Sequence, residues 1–326
     1  MRVLLIGGAG YIGSHCALAF LDRGYQVGIL DNFSTGSMDN IPSGCEVYTG
    51  DINNPDQLDP VCALNWDAVV HMAALKAAGV SMTKPELFAQ NNITGSLNII
   101  RGCITHGIDR FILSSSAAVY GEPEYLPIDE EHPTRPENYY GYTKLSIEGH
   151  LAWFDRLKGL TYSSLRYFNA AGYDPSGRMR GLEQDPANLI PVVMETAVGM
   201  RRELQVFGTD YDTPDGTGVR DYVHVTDLAE AHVLALEYLL EHGTSLTVNL
   251  GSQSGLSVLE ILEKSREISG RAIPATMADR RPGDPAKLVA SSAKAKELLG
   301  WEPQYSDLET IISSTWNIYK DKTEKL

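Results

Sequence analysis

Along the first half of the chain, apolar residues fall in short continuous runs separated by stretches of helical length. Residues 3–6 form an unbroken β-prone run, and 11–23 follow at helical length, stopping at Gly24. The runs 26–30, 47–49, 68–71, 111–114 and 162–167 repeat the strand pattern, with helical stretches at 92–106 and 140–157 before the last two. Continuous apolar runs alternating with helices predict an α/β fold: a doubly wound parallel sheet with helices on both faces. The order loosens after about residue 170. Segments rich in Gly, Pro and Asp (173–178, 208–218, 280–285) separate helical stretches predicted at 190–201, 225–240, 257–269 and 291–299, with Asp227 and Ser257 as cap or first-turn residues. Two units are expected, 1–170 and a smaller α/β unit 171–326. Their boundary is soft and interleaved, with later segments completing the first unit's sheet.

Composition adds exclusions. Of 326 residues, 43% are hydrophobic and 21% charged, which rules out a disordered, collagen-like or disulfide-scaffold chain. No window of ~18 apolar residues predicts a membrane span, and the apolar N-terminus runs straight into glycines, as a strand does and a leader does not. With 27 Lys+Arg against 42 Asp+Glu, the net charge is −15. Such a field disfavours nucleic acid and anionic membranes as partners. Cys16, Cys45, Cys62 and Cys103 lack metal-site spacing, so no metal is expected, and reduced thiols in a cytoplasm are.

A phosphate-bearing ligand must then be held locally, and the first turn offers the means. Gly7, Gly10 and Gly13 form GxxGxxG between a strand and a helix. Glycines admit a tight turn and close approach of a pyrophosphate, and the helix N-terminus presents free amides. Asp31, 18 residues after Gly13, ends the second strand. A carboxylate there accepts from ribose hydroxyls and repels a 2′-phosphate, favouring NAD over NADP. Asp51 and Ile52 end the third strand, where Asp51 reads equally well as an adenine contact or a strand-end cap.

The run from Ser114 through Ser115 and Ser116 to Ala117 and Ala118 lies at the carboxyl end of the fifth strand, the edge where ligands bind in open α/β sheets. Downstream, Tyr140 and Lys144 stand four apart on one helix face, while Tyr142 faces away. A phenol that ordinarily titrates near ~10 is a poor base at neutral pH. A neighbouring ammonium and the positive charge of an oxidised nicotinamide are expected to stabilise the phenolate and lower it. Tyr140 could then take a proton from a sugar hydroxyl, with Ser116 bonded to the same oxygen. Alone, a YxxxK pair is weak. Behind a dinucleotide fingerprint and a serine-rich strand end it is specific.

With these residues in place, the chain resembles the extended short-chain dehydrogenase/reductases, most closely their nucleotide-sugar 4-epimerases. The likeness runs through the opening glycine motif, Asp31–Gly36, the His71–Lys76 stretch, Asn91-Asn92, the Tyr140/Lys144 pair and the Arg166–Gly172 stretch. Late in the chain it takes in the runs 207–211 and 215–222 and Arg281-Pro282-Gly283-Asp284. The resemblance implies inversion at C4 of a UDP-hexose, between UDP-glucose and UDP-galactose, by transient hydride transfer to tightly held NAD. It places NAD against Gly7, Gly10, Tyr11, Ile12, Gly13, Asp31, Asn32, Phe33, Ser34, Thr35, Gly36, Asp51, Ile52, Met72, Ala73, Ala74, Lys76, Asn91, Ser114, Tyr140, Lys144, Tyr167 and Phe168. It places the UDP-sugar against Lys76, Ser116, Tyr140, Phe168, Asn169, Asn188, Leu189, Gln205, Val206, Phe207, Arg220, Tyr222, Arg281, Asp284 and Leu288, with Phe207 by the uracil. Ser116, Tyr140 and Lys144 are the implied catalytic set. A homodimer paired through 85–106 and 140–157 is also implied.

Two departures bear on specificity. Ala118 stands where these epimerases usually carry Thr, and Leu288 stands where one class has Tyr and another Cys or Ser. UDP-pentoses and UDP-N-acetylhexosamines therefore stay open as substrates. A dehydratase would need acidic residues at Ala117 or Ala118. A decarboxylase would need an added basic residue for a C6 carboxylate. A simple reductase would exchange its cofactor freely, and a non-catalytic NAD-binding protein would lose the Tyr or the Lys.

Overall fold

The computed structural model describes residues 1–183, 186–281 and 284–322. Pro282 and Gly283 of the late Arg-Pro-Gly-Asp motif lie outside them. The predicted strands form as β1 (Arg2–Ile6), β2 (Gln26–Asp31), β3 (Glu46–Thr49), β4 (Ala68–His71), β5 (Arg110–Ser116) and β6 (Thr161–Tyr167). The later strands are β7 (Asn169–Ala171), β8 (Leu204–Phe207), β9 (Val219–His224), β10 (Leu246–Leu250), β11 (Gly255–Ser257), β12 (Ala275–Ala278) and β13 (Lys287–Leu288). One parallel seven-stranded sheet runs β10-β6-β5-β4-β1-β2-β3. The strand order reverses at β1, which is where a doubly wound sheet opens a crevice at its carboxyl edge.

Helices cover both faces: α1 (Tyr11–Asp22), α2 (Pro55–Cys62), the short α3 (Ala78–Ser81) and α4 (Pro85–Phe88), α5 (Gly95–His106) and α6 (Tyr139–Lys158). They continue with α7 (Leu189–Ala197), α8 (Val225–His242), α9 (Val258–Ser269), α10 (Ala293–Leu299) and α11 (Leu308–Tyr319). Alternation along β1 explains the layers. Val3 and Leu5 pack with Phe20 of α1 and Leu236 of α8, while Leu4 and Ile6 pack with Ile99 of α5 and Leu151 of α6. A further core joins Tyr173, Met194, Tyr222, Ile261 and Ile311 under α7, α9 and α11. There β9 pairs with β7, β11 and β13, and β8 pairs with β12.

Three expectations change. The stretch predicted as a helix over 190–201 ends at Ala197, because the Met200 and Arg201 amides fold back onto the Glu195 carbonyl. The stretch 92–106 is helical but opens in a π-turn over Ala89–Thr94. Helix α11, absent from the pattern reading, supplies Ile311, Ile312 and Tyr319 to the third core.

Candidate active site

The glycine turn is built by close approach. Gly7 has φ +86°, and a Cβ on Gly13 would stand 2.4 Å from the Gly7 carbonyl oxygen and 2.7 Å from Gly8 Cα. Helix α1 starts at Gly10 with no side-chain cap, so the amides of its first turn have no side-chain acceptor. That arrangement fits a pyrophosphate. The Asp31 carboxylate accepts from the Ala9 amide (2.9 Å) and the Phe33 amide (2.9 Å), fastening the loop to the end of β2. Each oxygen keeps capacity for a second donor, such as a ribose hydroxyl. Asp51 accepts from the Asn53 amide (2.8 Å) and Asn32 Nδ2 (2.9 Å). Burial would raise it, but these donors hold it below its ordinary range, so its visible part is a cap. Ile52 is buried in the sheet's second face, leaving only its backbone for a ligand.

The reacting corner forms where β5 ends under α6. Asn138 caps α6 by accepting from the Gly141 amide (2.9 Å), and the Tyr140 amide donates to Ser81 Oγ (3.0 Å). Gly141 is required by contact, since a Cβ there would stand 2.2 Å from the Ala118 carbonyl oxygen. Ser116 Oγ accepts from the Ala118 amide (3.2 Å), and the Ser116 side chain lies by the Tyr140 phenol and favours its ionised form. Lys144 is 3% exposed and donates through Nζ to the Ser114 carbonyl (2.7 Å). The predicted trio is thus brought together.

In the protein without ligand, burial pushes the Tyr140 phenol up, only partly offset by Ser116. Burial also draws Lys144 down to about 8, with Glu148 pulling the other way. The phenol is therefore protonated at neutral pH, and any lowering awaits the charge of a bound ligand.

The residues predicted to face a sugar nucleotide are gathered less uniformly. Arg220 forms an ion pair with Asp284, and the Arg281 guanidinium lies 3.8 Å from the centroid of the Phe207 ring, on the face predicted to lie by a uracil. Strand β13 brings Leu288 into register with Arg220 on β9. Asn169 donates through Nδ2 to the Asp221 carbonyl (3.0 Å). Asn188 and Leu189 start α7, and Gln205 is exposed on β8. The Val206 and Tyr222 side chains sit in packed cores, so only their backbones can meet a ligand. Lys76 forms an ion pair with Glu183. Phe168 and Leu288 pack against the small core of Val119, Tyr120 and Ile128. Tyr11 reaches away from the loop to donate to the Gly172 carbonyl (2.5 Å). Tyr167 is a phenol pushed up by burial, and Met72 packs against the first sheet core and Ala73 against the second.

The NAD dependent epimerase/dehydratase family model matches residues 3–251. The chain belongs to this family. It is 45% identical to the UDP-glucose 4-epimerase of Halalkalibacterium halodurans, over 98% of this chain and 96% of the relative. It is likewise 45% identical to that of Corynebacterium glutamicum, over 97% and 95%. A solved structure of UDP-glucose 4-epimerase from Brucella ovis in complex with NAD superposes with a TM-score of 0.95 at 42% identity, covering 98% of each chain.

Some residues of this epimerase/dehydratase chain that shape the corner were given no role above. Asn92, fully buried in the π-turn, accepts from the Leu75 amide (2.8 Å) and donates to the Leu75 carbonyl (2.9 Å) and Thr143 Oγ1 (3.0 Å). Thr143 in turn donates to the Tyr140 carbonyl (2.7 Å). This chain of bonds ties α6 to the segment after β4. Asn92 stood in a quoted motif, and Thr143 stands between Tyr140 and Lys144, so adjacency was the available clue. Glu148 and Arg166 form a buried ion pair beneath Lys144. Its clue was helical spacing, Glu148 lying four residues after Lys144.

Proposed function

We propose that the protein is a UDP-glucose 4-epimerase that interconverts UDP-glucose and UDP-galactose. The observation that carries this reading is the meeting of Ser116, Tyr140 and Lys144, at the carboxyl edge of β5 and in the same sheet as the uncapped glycine turn. NAD would be held by the Gly7–Gly13 turn and Asp31, with Lys144 at its nicotinamide ribose. When bound, it supplies a reversible hydride acceptor. Tyr140 takes the proton of the sugar's C4 hydroxyl as that carbon is oxidised. Ser116, whose oxygen already accepts from the Ala118 amide, donates to the same substrate oxygen. The 4-keto sugar turns and presents its other face, and Tyr140 returns the proton as C4 is reduced. Lys144, charged, favours the phenolate that this requires. Arg220 and Arg281 suit a diphosphate, since guanidinium forks match phosphate oxygens. For the diphosphate to bind them, Arg220 must exchange Asp284 and Arg281 must leave or share the Phe207 ring.

Three further points belong to the same reading. Residues 1–170, with β10, act as the nucleotide unit, and most of 171–326 acts as the sugar unit. The protein works in the cytoplasm; among the described residues no helix is long and apolar enough to cross a membrane. It pairs as a homodimer through the 85–106 and 140–157 helices, which expose Leu87, Tyr142, Trp153 and Leu157.

The test is incubation of purified protein with UDP-galactose and no added NAD, followed by chromatography of the nucleotide sugars. UDP-glucose should appear. UDP-galactose left unchanged even after NAD is supplied would sink the hexose reading. UDP-pentoses and N-acetylated sugars would then be tried, with Leu288 the first residue questioned.

A further inference from the structure

One helical turn beyond Lys144 on α6 lies a buried ion pair to which the chemistry above gives no part. Glu148 is 7% exposed and Arg166, on β6, is 8% exposed. Arg166 donates to both Glu148 oxygens, Nε at 3.0 Å and Nη2 at 2.6 Å. Ser115 Oγ adds a third donor at 2.5 Å. Arg166 Nη1 is spent on the Tyr120 hydroxyl (2.9 Å), which donates to Asn249 Oδ1 (2.6 Å). The carboxylate is therefore fixed from two strands. Three successive serines divide the corner between them. The Ser114 carbonyl takes Lys144, the Ser115 hydroxyl holds Glu148, and the Ser116 hydroxyl meets Tyr140.

We propose that Glu148, clamped by Arg166 and Ser115, is a positioning residue that keeps the Lys144 side chain charged at the Tyr140 corner. This rests on the part given to Lys144 above. A buried ion pair is weak evidence for stability, because desolvation offsets much of the attraction, so the place it occupies calls for another reason. Lys144 makes no ion pair among the described residues, and its one hydrogen bond goes to a neutral carbonyl. On β4, His71 is held neutral by burial and by the Lys144 charge, with its pKa lowered to about 3. On α6 and β6, Tyr140 and Tyr167 are phenols pushed up by burial and so uncharged. Arg166 would repel the ammonium if Glu148 did not match it. Glu148 is the one anion in this set, and it opposes the burial that draws Lys144 down.

The charges give the test a sign. In protein labelled with ¹³C at the lysine ε-carbon, the resonance missing from Lys144→Met reports the Lys144 titration. Glu148→Gln should lower its midpoint by about one pH unit, because a countercharge is lost while Arg166 stays. Arg166→Met should raise it, because Glu148 is then unmatched. The double variant Glu148→Gln/Arg166→Met removes both charges, folds without an unpaired buried ion, and should still titrate below the wild type. It therefore keeps the test open if a single variant fails to fold. Shifts of opposite sign, with the alkaline limb of turnover moving alongside, support the proposal. A midpoint that stays put in all three, or moves the same way in both single variants, overturns it and leaves the pair a packing element. If the variants show these shifts but the wild-type protein does not epimerise UDP-galactose, the proposed function alone is overturned.

Discussion

At the glycine turn, the groups offered to a ligand are backbone amides, and the side chain that fastens them, Asp31, is already bonded to two amides, one in the turn itself and one just after β2. At the other end of the site the groups are side chains from distant segments, and they are occupied with one another. Arg220 and Asp284, 64 residues apart, form an ion pair, and Arg281 covers Phe207. The first arrangement needs no rearrangement and loses little entropy when filled. The second must exchange partners each time a ligand enters. This matches what an epimerase that keeps its cofactor requires: one ligand held through every turnover, another admitted and released.

The contrast can be broken most severely at the turn. Gly13→Val would drive its side chain into the Gly7 carbonyl. The protein should then purify without NAD, show no turnover, and melt earlier by about 1–3 kcal/mol of stability, as read from cofactor absorbance and a thermal melt. Tyr140→Phe should cost roughly 10²–10⁴ in turnover, the usual worth of a positioned acid–base group, while cofactor content stays at the wild-type level. Arg220→Gln should leave cofactor content alone and raise KM by roughly 10–100-fold, as expected for one lost charge-assisted bond. Steady-state kinetics with UDP-galactose would check both, and loss of NAD from either variant would erase the distinction between the corners.

The smallest effect sharpens the comparison at the seam between the corners. His15 on α1 accepts from the Asp174 amide (3.1 Å), and His224 at the end of β9 bonds to Ser314 Oγ of α11 (3.1 Å). Burial lowers them to about 4 and about 3. Their ordinary value is 6.5, so the unfolded chain takes up protons first as the pH falls. Stability should be full above pH ~6.5 and fall progressively as the pH drops from there towards pH ~4. Denaturant midpoints measured across that range would reveal it.

What could be read from sequence follows the same division. The glycine turn, the first six strands of the large sheet and the Tyr140/Lys144 spacing are contiguous or one helical turn apart, so local pattern carries them. The Ser116–Tyr140 meeting was legible because both lie at marked ends, of a strand and of a helix. Glu148 stands one turn after Lys144 and Arg166 opens the Arg166–Gly172 stretch, but that the two meet is revealed only by packing. Asn92 reaches Thr143 across 51 residues. The end of α7 depends on two amides that choose Glu195. The raised Tyr140 phenol reflects burial, which helical spacing does not report.

Strand β10 has a consequence for how the molecule is made. It is the outer neighbour of β6 in the seven-stranded sheet, yet it is Leu246–Leu250, after the whole excursion through β7, β8 and β9. A nascent chain that has released β1 to β6 therefore displays Thr161–Tyr167 as a bare edge, a template for unwanted pairing. That edge stays open until three more strands and two long helices have emerged. The protein is thus most exposed to aggregation late in synthesis, and ribosome stalling between residues 168 and 245 would yield its stickiest intermediates.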